Sequence, residues 1–168
     1  MKNDLSQKIN DTKNGLLAVL DTFSQGNFNT VPFEGSWTAG QVAEHIFKSA
    51  SGMLQALNGP VKIADRDPSQ YIKPLGDAFL NFDIKMQSPD FIIPSDKPKD
   101  KSSLIHSLGE TLDGISNVAE TQNLDVICTG FQMPMLGLLS KREFIWFTCV
   151  HTQRHIHQLK NIAKHFEN

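Results

Sequence analysis

The chain has six histidines, and two of them, His151 and His155, stand four apart in a segment with helical periodicity. That spacing puts both imidazoles on one helix face a turn apart, near enough to chelate a single ion. Pairs of this kind also arise by chance on many helices, so the spacing alone carries little weight. A third residue adds to it. Val42, His45, Ile46, Ser49, Met53 and Leu57 form the apolar face of an earlier segment, so His45 points inward among aliphatic side chains. A buried imidazole with a free lone pair is costly unless it meets a donor or a cation. His45 as a core histidine bonded to a backbone carbonyl is one solution. One ion held by His45, His151 and His155 is the other, and it satisfies all three imidazoles at once.

Three neutral imidazoles suit zinc, nickel, iron or manganese, and three protein ligands leave at least one position open for water or substrate. A centre of this kind lowers the pKa of a bound water or thiol. Gln158 lies about one turn beyond His155 on the same face, placed either to hydrogen-bond a ligand or metal-bound group or to fill a plain core or cap role. Cys149 falls away from the ligand stripe and reads as a packing residue. His106 and His157 lie off their stripes and read as solvated, while His165 is about 15 Å along the axis from His155, too far for the same ion. Arg142 and Arg154 either hold an anionic substrate or solvate their helix. The His-Thr-Gln-Arg-His run has Thr152 where a zincin protease needs its general-base glutamate. Glu44 faces away from His45 on the helical wheel, against a di-metal bundle.

The elements that must position these residues are helical. Leu5, Ile9, Thr12, Leu16, Leu20 and Phe23 share a face and predict a first helix from about Asp4 to Ser24. Thr38 and Gln41 form a capping box that opens the second helix, which ends near Asn58-Gly59-Pro60. Trp37, just before that cap, is placed to staple the incoming chain. Six of the eight prolines lie between Gly59 and Lys101, which predicts a long crossover, ordered because Gly76 to Lys85 has helical spacing and Phe91-Ile92-Ile93 is apolar enough to tuck against the bundle. A third helix starts near Ser102 and turns Leu104, Leu108, Leu112, Ile115 and Ala119 inward. Ser140 and Glu143 form a second capping box, opening a fourth helix that runs to about Phe166. In it Trp146 and Phe147 pack either the bundle or a dimer seam. No period-2 strand pattern and no internal repeat is evident. The fold class is therefore all-α, a four-helix bundle with a long ordered crossover between helices two and three.

With 168 residues, 39% of them hydrophobic, the chain reads as one domain over residues 1–168. A formal net charge of −2 offers no basic excess for nucleic acid or an anionic membrane. Neither an apolar leader after Met1 nor an apolar run of about 18 residues is present, which predicts a cytoplasmic protein. Cys128 and Cys149 lack CxxC spacing and read as reduced thiols.

The segments Ser36-Trp37-Thr38-x-x-Gln41-Val42-x-x-His45 and His151-Thr152-Gln153-Arg154-His155-Ile156-His157-Gln158, with Pro134, Gly137 and Leu138 between them, resemble the DinB-like, or YfiT-like, metalloenzyme family. The resemblance spans Leu5 to Ala163 and is specific in the two histidine segments and in the Phe131 to Glu143 approach. It implies a four-helix bundle with one histidine on the second helix and an H-x-x-x-H pair on the last. Where family members often carry Arg-Gly-Gln after the last ligand, this chain has Ile156-His157-Gln158, keeping only the glutamine. The resemblance further implies thiol-dependent S-transferase or isomerase chemistry, with the metal activating a low-molecular-weight thiol, and a homodimer. Two functions follow as expectations. One is a metal-dependent thiol transferase or hydrolase acting on a small molecule. The other is a non-catalytic ligand-binding or stress-response module whose metal stabilises the fold.

Overall fold

The computed structural model describes residues 2–167. In chain order its helices are α1 (Lys2–Asp21), α2 (Gln25–Phe28), α3 (Ala39–Leu57), α4 (Ile72–Phe79), α5 (Lys101–Thr121) and α6 (Lys141–Ala163). A 3-10 turn lies at Asp90–Ile92, and two short strands are β1 (Val61–Lys62) and β2 (Ile127–Cys128). The four long helices α1, α3, α5 and α6 form the expected all-α bundle, with α1 and α3 each packed against both α5 and α6. Ile9, Leu16, Leu20, Val42, Ile46, Leu112, Ile115 and Phe144 fill its core, so the helical periodicity of each segment is spent on a common apolar interior.

Both capping boxes form. Thr38 Oγ1 accepts the Gln41 N–H at 3.0 Å and Gln41 Oε1 accepts the Thr38 N–H at 3.0 Å. At α6 the corresponding bonds are Glu143 N–H to Ser140 Oγ at 3.1 Å and Ser140 N–H to Glu143 Oε2 at 2.8 Å. These caps fix where each histidine-bearing helix starts, and so the direction in which every later side chain points.

The crossover is ordered, as expected, but its helix lies earlier in the chain. The spacing predicted Gly76 to Lys85, whereas α4 is Ile72–Phe79. Two anchors explain the shift. The Tyr71 N–H donates to Glu143 Oε1 at 2.8 Å and Trp146 Nε1 donates to the Ile72 carbonyl at 2.8 Å, while Pro74 sits in the first turn, where no N–H is needed. Beyond Phe79, the Arg154 guanidinium takes the carbonyls of Phe79, Asn81 and Ile84, which bends the chain out of the helix. Of the apolar run at 91–93, only Ile92 is buried, and Phe91 and Ile93 are exposed.

Three further differences are local. The first helix ends at Asp21 because Ser24 takes an extended conformation and caps α2 through the Asn27 N–H. The last helix ends at Ala163, followed by a turn. The antiparallel pair of β1 and β2, with Val61 opposite Cys128 and Lys62 opposite Ile127, is too short to leave a period-2 pattern in the sequence.

Candidate metal centre

α3 carries His45 and α6 carries His151 and His155, and the three rings meet at the floor of a cleft between these helices and the crossover. His45 Nε2 lies 3.1 Å from His151 Nε2, and His155 Nε2 lies 3.2 Å from the same atom. His45 and His151 are buried and His155 is half-buried. The convergence expected from the sequence is therefore present, and the other reading of His45 is present as well: its Nδ1 donates to the Ile92 carbonyl at 2.9 Å.

That second bond decides the chemistry of the first. A carbonyl oxygen only accepts, so His45 carries its proton on Nδ1 and its lone pair on Nε2. His155 is held in the same way, its Nδ1 donating to Gln158 Oε1 at 2.8 Å. Two lone pairs thus aim at His151 Nε2, a single nitrogen that can supply at most one proton. Hydrogen bonds among the three cannot satisfy them all, whereas a cation accepts every lone pair. Metal–nitrogen bonds of about 2.0–2.1 Å in a tetrahedral centre set ligand nitrogens roughly 3.3 Å apart, close to the two separations found. The residues fit a divalent transition ion.

Electrostatics keep the rings ready to ligate. Burial, followed by repulsion from His155, His45 and Arg154, holds His151 well below the ordinary imidazole range. Burial and the neighbouring His45 bring His155 to about 3, against the bond to Gln158. His45 is lowered too, by burial, with the Ile92 carbonyl opposing. All three are neutral at pH 7, the form that binds metal.

Aromatic rings wall the site. Phe147 stacks on His151 with centroids 5.2 Å apart, Phe79 meets the same ring edge-on at 5.9 Å, and Trp37 lies 5.2 Å from His45. Trp146 and Phe147 are thus both engaged within the chain, one on the crossover and one on the site. Gln158 reaches the site through His155, as an orienting partner.

The remaining candidates do not join the three histidines, although His157 and Arg154 line the cleft above them. Cys149 is fully buried, its thiol pushed up to about 12 by burial, and it plays the packing role expected. Exposed His106 pairs with Glu110 at 3.3 Å, and exposed His165 lies against Phe33 with centroids 4.8 Å apart. His157 is exposed and stacks flat on Phe82 with centroids 4.2 Å apart. Arg142 corrects both of its readings. It is buried and bonded to Asp125 Oδ1 at 2.6 Å, so it neither solvates α6 nor faces the cleft. Arg154 does line the cleft, with its guanidinium engaged by backbone carbonyls. Glu44 faces away, as the wheel indicated. Burial pushes its carboxyl up, but Lys99, the Ser95 N–H and Lys48 hold it below its ordinary value.

The Ile92 carbonyl escapes sequence reasoning because a main-chain acceptor has no residue signature. The aromatic wall escapes because Phe79 and Trp37 approach from outside the helix carrying His151.

A model of the DinB superfamily matches residues 9–159. No curated protein and no solved structure matches the chain. The matched span includes His45, His151, His155 and Gln158 together with the helices that hold them, and the chain belongs to the DinB superfamily.

Proposed function

We propose that the protein is a metal-dependent enzyme in which His45, His151 and His155 ligate one divalent transition ion, zinc, nickel, iron or manganese, and which transfers a low-molecular-weight thiol to a small electrophile. The observation that carries this reading is the meeting of the three Nε2 atoms where the cleft opens above them. An ion held there supplies Lewis-acid chemistry, lowering the pKa of a thiol or water that shares it.

The cleft favours thiol over water. Among the described residues that line it, none is Asp or Glu, while Lys48, Lys85 and Arg154 are present. That cationic lining favours a nucleophile that arrives as an anion, which a thiol near its ionisation point does far more readily than water. The thiol comes from outside, since burial pushes Cys128 up to about 11 and Cys149 up to about 12, too high for nucleophiles. In the transfer its sulfur bonds to the electrophilic carbon, its proton passes to solvent, and the leaving group departs with the bonding pair. A thiol-using enzyme with two reduced cysteines fits a cytoplasmic setting, and we take the assembly to be a homodimer, which sedimentation tests.

Metal analysis of untagged protein purified without chelator should give about one equivalent. Well under one equivalent, with none loaded back, overturns the reading. His155→Ala should abolish thiol transfer to a panel of electrophiles while the bundle stays folded. If wild-type protein turns over none of the panel and His155→Ala only lowers Tm, the metal serves a non-catalytic ligand-binding or stress-response module tying α3 to α6.

A further inference from the structure

The cleft above the histidines has a volume of about 1330 Å³, more than the roughly 300–1,000 Å³ typical of a site for one drug-sized ligand. It has room for two reactants. Its walls are apolar in a particular way. Met53, Met86, Met133 and Met135 are all the methionines after Met1, and all of them line it. Large apolar side chains that lie exposed also gather there, among them Phe33, Phe82, Ile84 and Phe91. Exposed apolar surface gathered on one concave face marks a binding site rather than ordinary surface scatter.

Met135 is placed at some cost. Its φ of 67° lies in the left-handed region, where the Cβ of a non-glycine residue crowds the following carbonyl. Met133 and Gly137 close this turn with reciprocal N–H to carbonyl bonds, both 2.8 Å, and the Met135 side chain stands fully exposed at the tip. Thioether side chains are unbranched and polarizable, and they repack around ligands of differing shape.

We propose that the electrophilic substrate is an extended apolar molecule, alkyl or aryl, whose reactive head reaches the histidines while its body lies on this methionine and aromatic wall, and that the site accepts a range of such bodies. This rests on the metal-centre reading above. The occupant is a small molecule because the apolar surface is concave and leads down to the three histidines.

Linear alkyl hydroxamates, which chelate a metal through a constant head, test it on the zinc-loaded protein by titration calorimetry. From acetohydroxamate to octanohydroxamate, affinity should rise about fourfold per methylene, the value for a well-buried CH₂. Met135→Ser and Phe91→Ser alter exposed side chains and should keep the fold. Each should flatten that rise and leave acetohydroxamate affinity unchanged. If acetohydroxamate binds and longer chains bind no better, the apolar substrate is overturned and the metal centre stands. If no member binds, acetohydroxamate included, both are overturned. If Phe91→Ser instead converts a dimer to monomer with the chain-length dependence intact, a second copy of the chain covers this face and the proposal is overturned.

Discussion

The two carbonyl oxygens behind His45 and His155 do as much for the centre as the imidazoles do, because each fixes which nitrogen carries the lone pair. Gln158 Oε1 is the one of the two that a substitution can remove. Gln158→Leu frees the His155 ring to flip or change tautomer, and zinc affinity should fall about 10–100-fold, the usual cost of losing such a partner, with the circular dichroism spectrum unchanged. Competition with a chromophoric chelator measures it, and unchanged affinity would show that packing alone orients His155. The meeting of the three histidines was readable in the sequence because an i,i+4 pair and an inward histidine each break an apolar stripe. The role of Gln158 was only half readable: periodicity placed it on the right face but could not show whether it meets a ligand or a ligand's neighbour.

Among the elements, α6 does most of the positioning, and its start is held by one buried carboxylate. Glu143 accepts from the Ser140 N–H at 2.8 Å, the Tyr71 N–H at 2.8 Å, and Arg66 Nη1 and Nη2 at 2.9 and 2.7 Å. One side chain thus closes the cap of α6 and docks the crossover. Glu143→Ala leaves the Ser140 and Tyr71 amides unanswered and Arg66 with only the Asp67 and Leu138 carbonyls, and should cost about 3–5 kcal/mol, read as a lower urea midpoint, whereas Glu143→Gln keeps the acceptor and should cost less. Equal losses for the two would mean that the charge facing Arg66 carries the whole effect and the cap bond that Gln retains adds nothing. The Ser140-x-x-Glu143 pattern announced the cap, but its bond to Arg66 joins residues 77 apart and left no local trace. The displaced α4 has the same cause. Pro74 reads as a breaker in sequence, yet long-range anchors at Tyr71 and Ile72 start a helix around it.

At the scale of the whole molecule the three histidines tie stability to pH. In metal-free protein they are neutral when folded, whereas in the unfolded chain each takes a proton below its ordinary pKa of about 6.5. The unfolded state then binds more protons, so stability rises with pH across this window. It is lost as pH falls from about 6.5 toward about 3, where His155 itself titrates. Each imidazole contributes up to about 1.4 kcal/mol per pH unit. Urea midpoints at pH 7, 6 and 5 should decline steadily, and a His45, His151, His155→Gln triple variant should show a shallower decline. Identical pH profiles for the two proteins would mean that other groups govern acid stability.

The bond from His45 to Ile92 joins the floor of the cleft to its side. Ile92 ends the 3-10 turn that presents Phe91, so an ion held by His45 would also steady the apolar wall that Phe91 belongs to. Loading would then be sequential, the inorganic component first and the organic one onto a stiffened bed. Amide hydrogens of residues 90–93 should exchange more slowly after zinc is added, and equal exchange rates would show that floor and side respond independently.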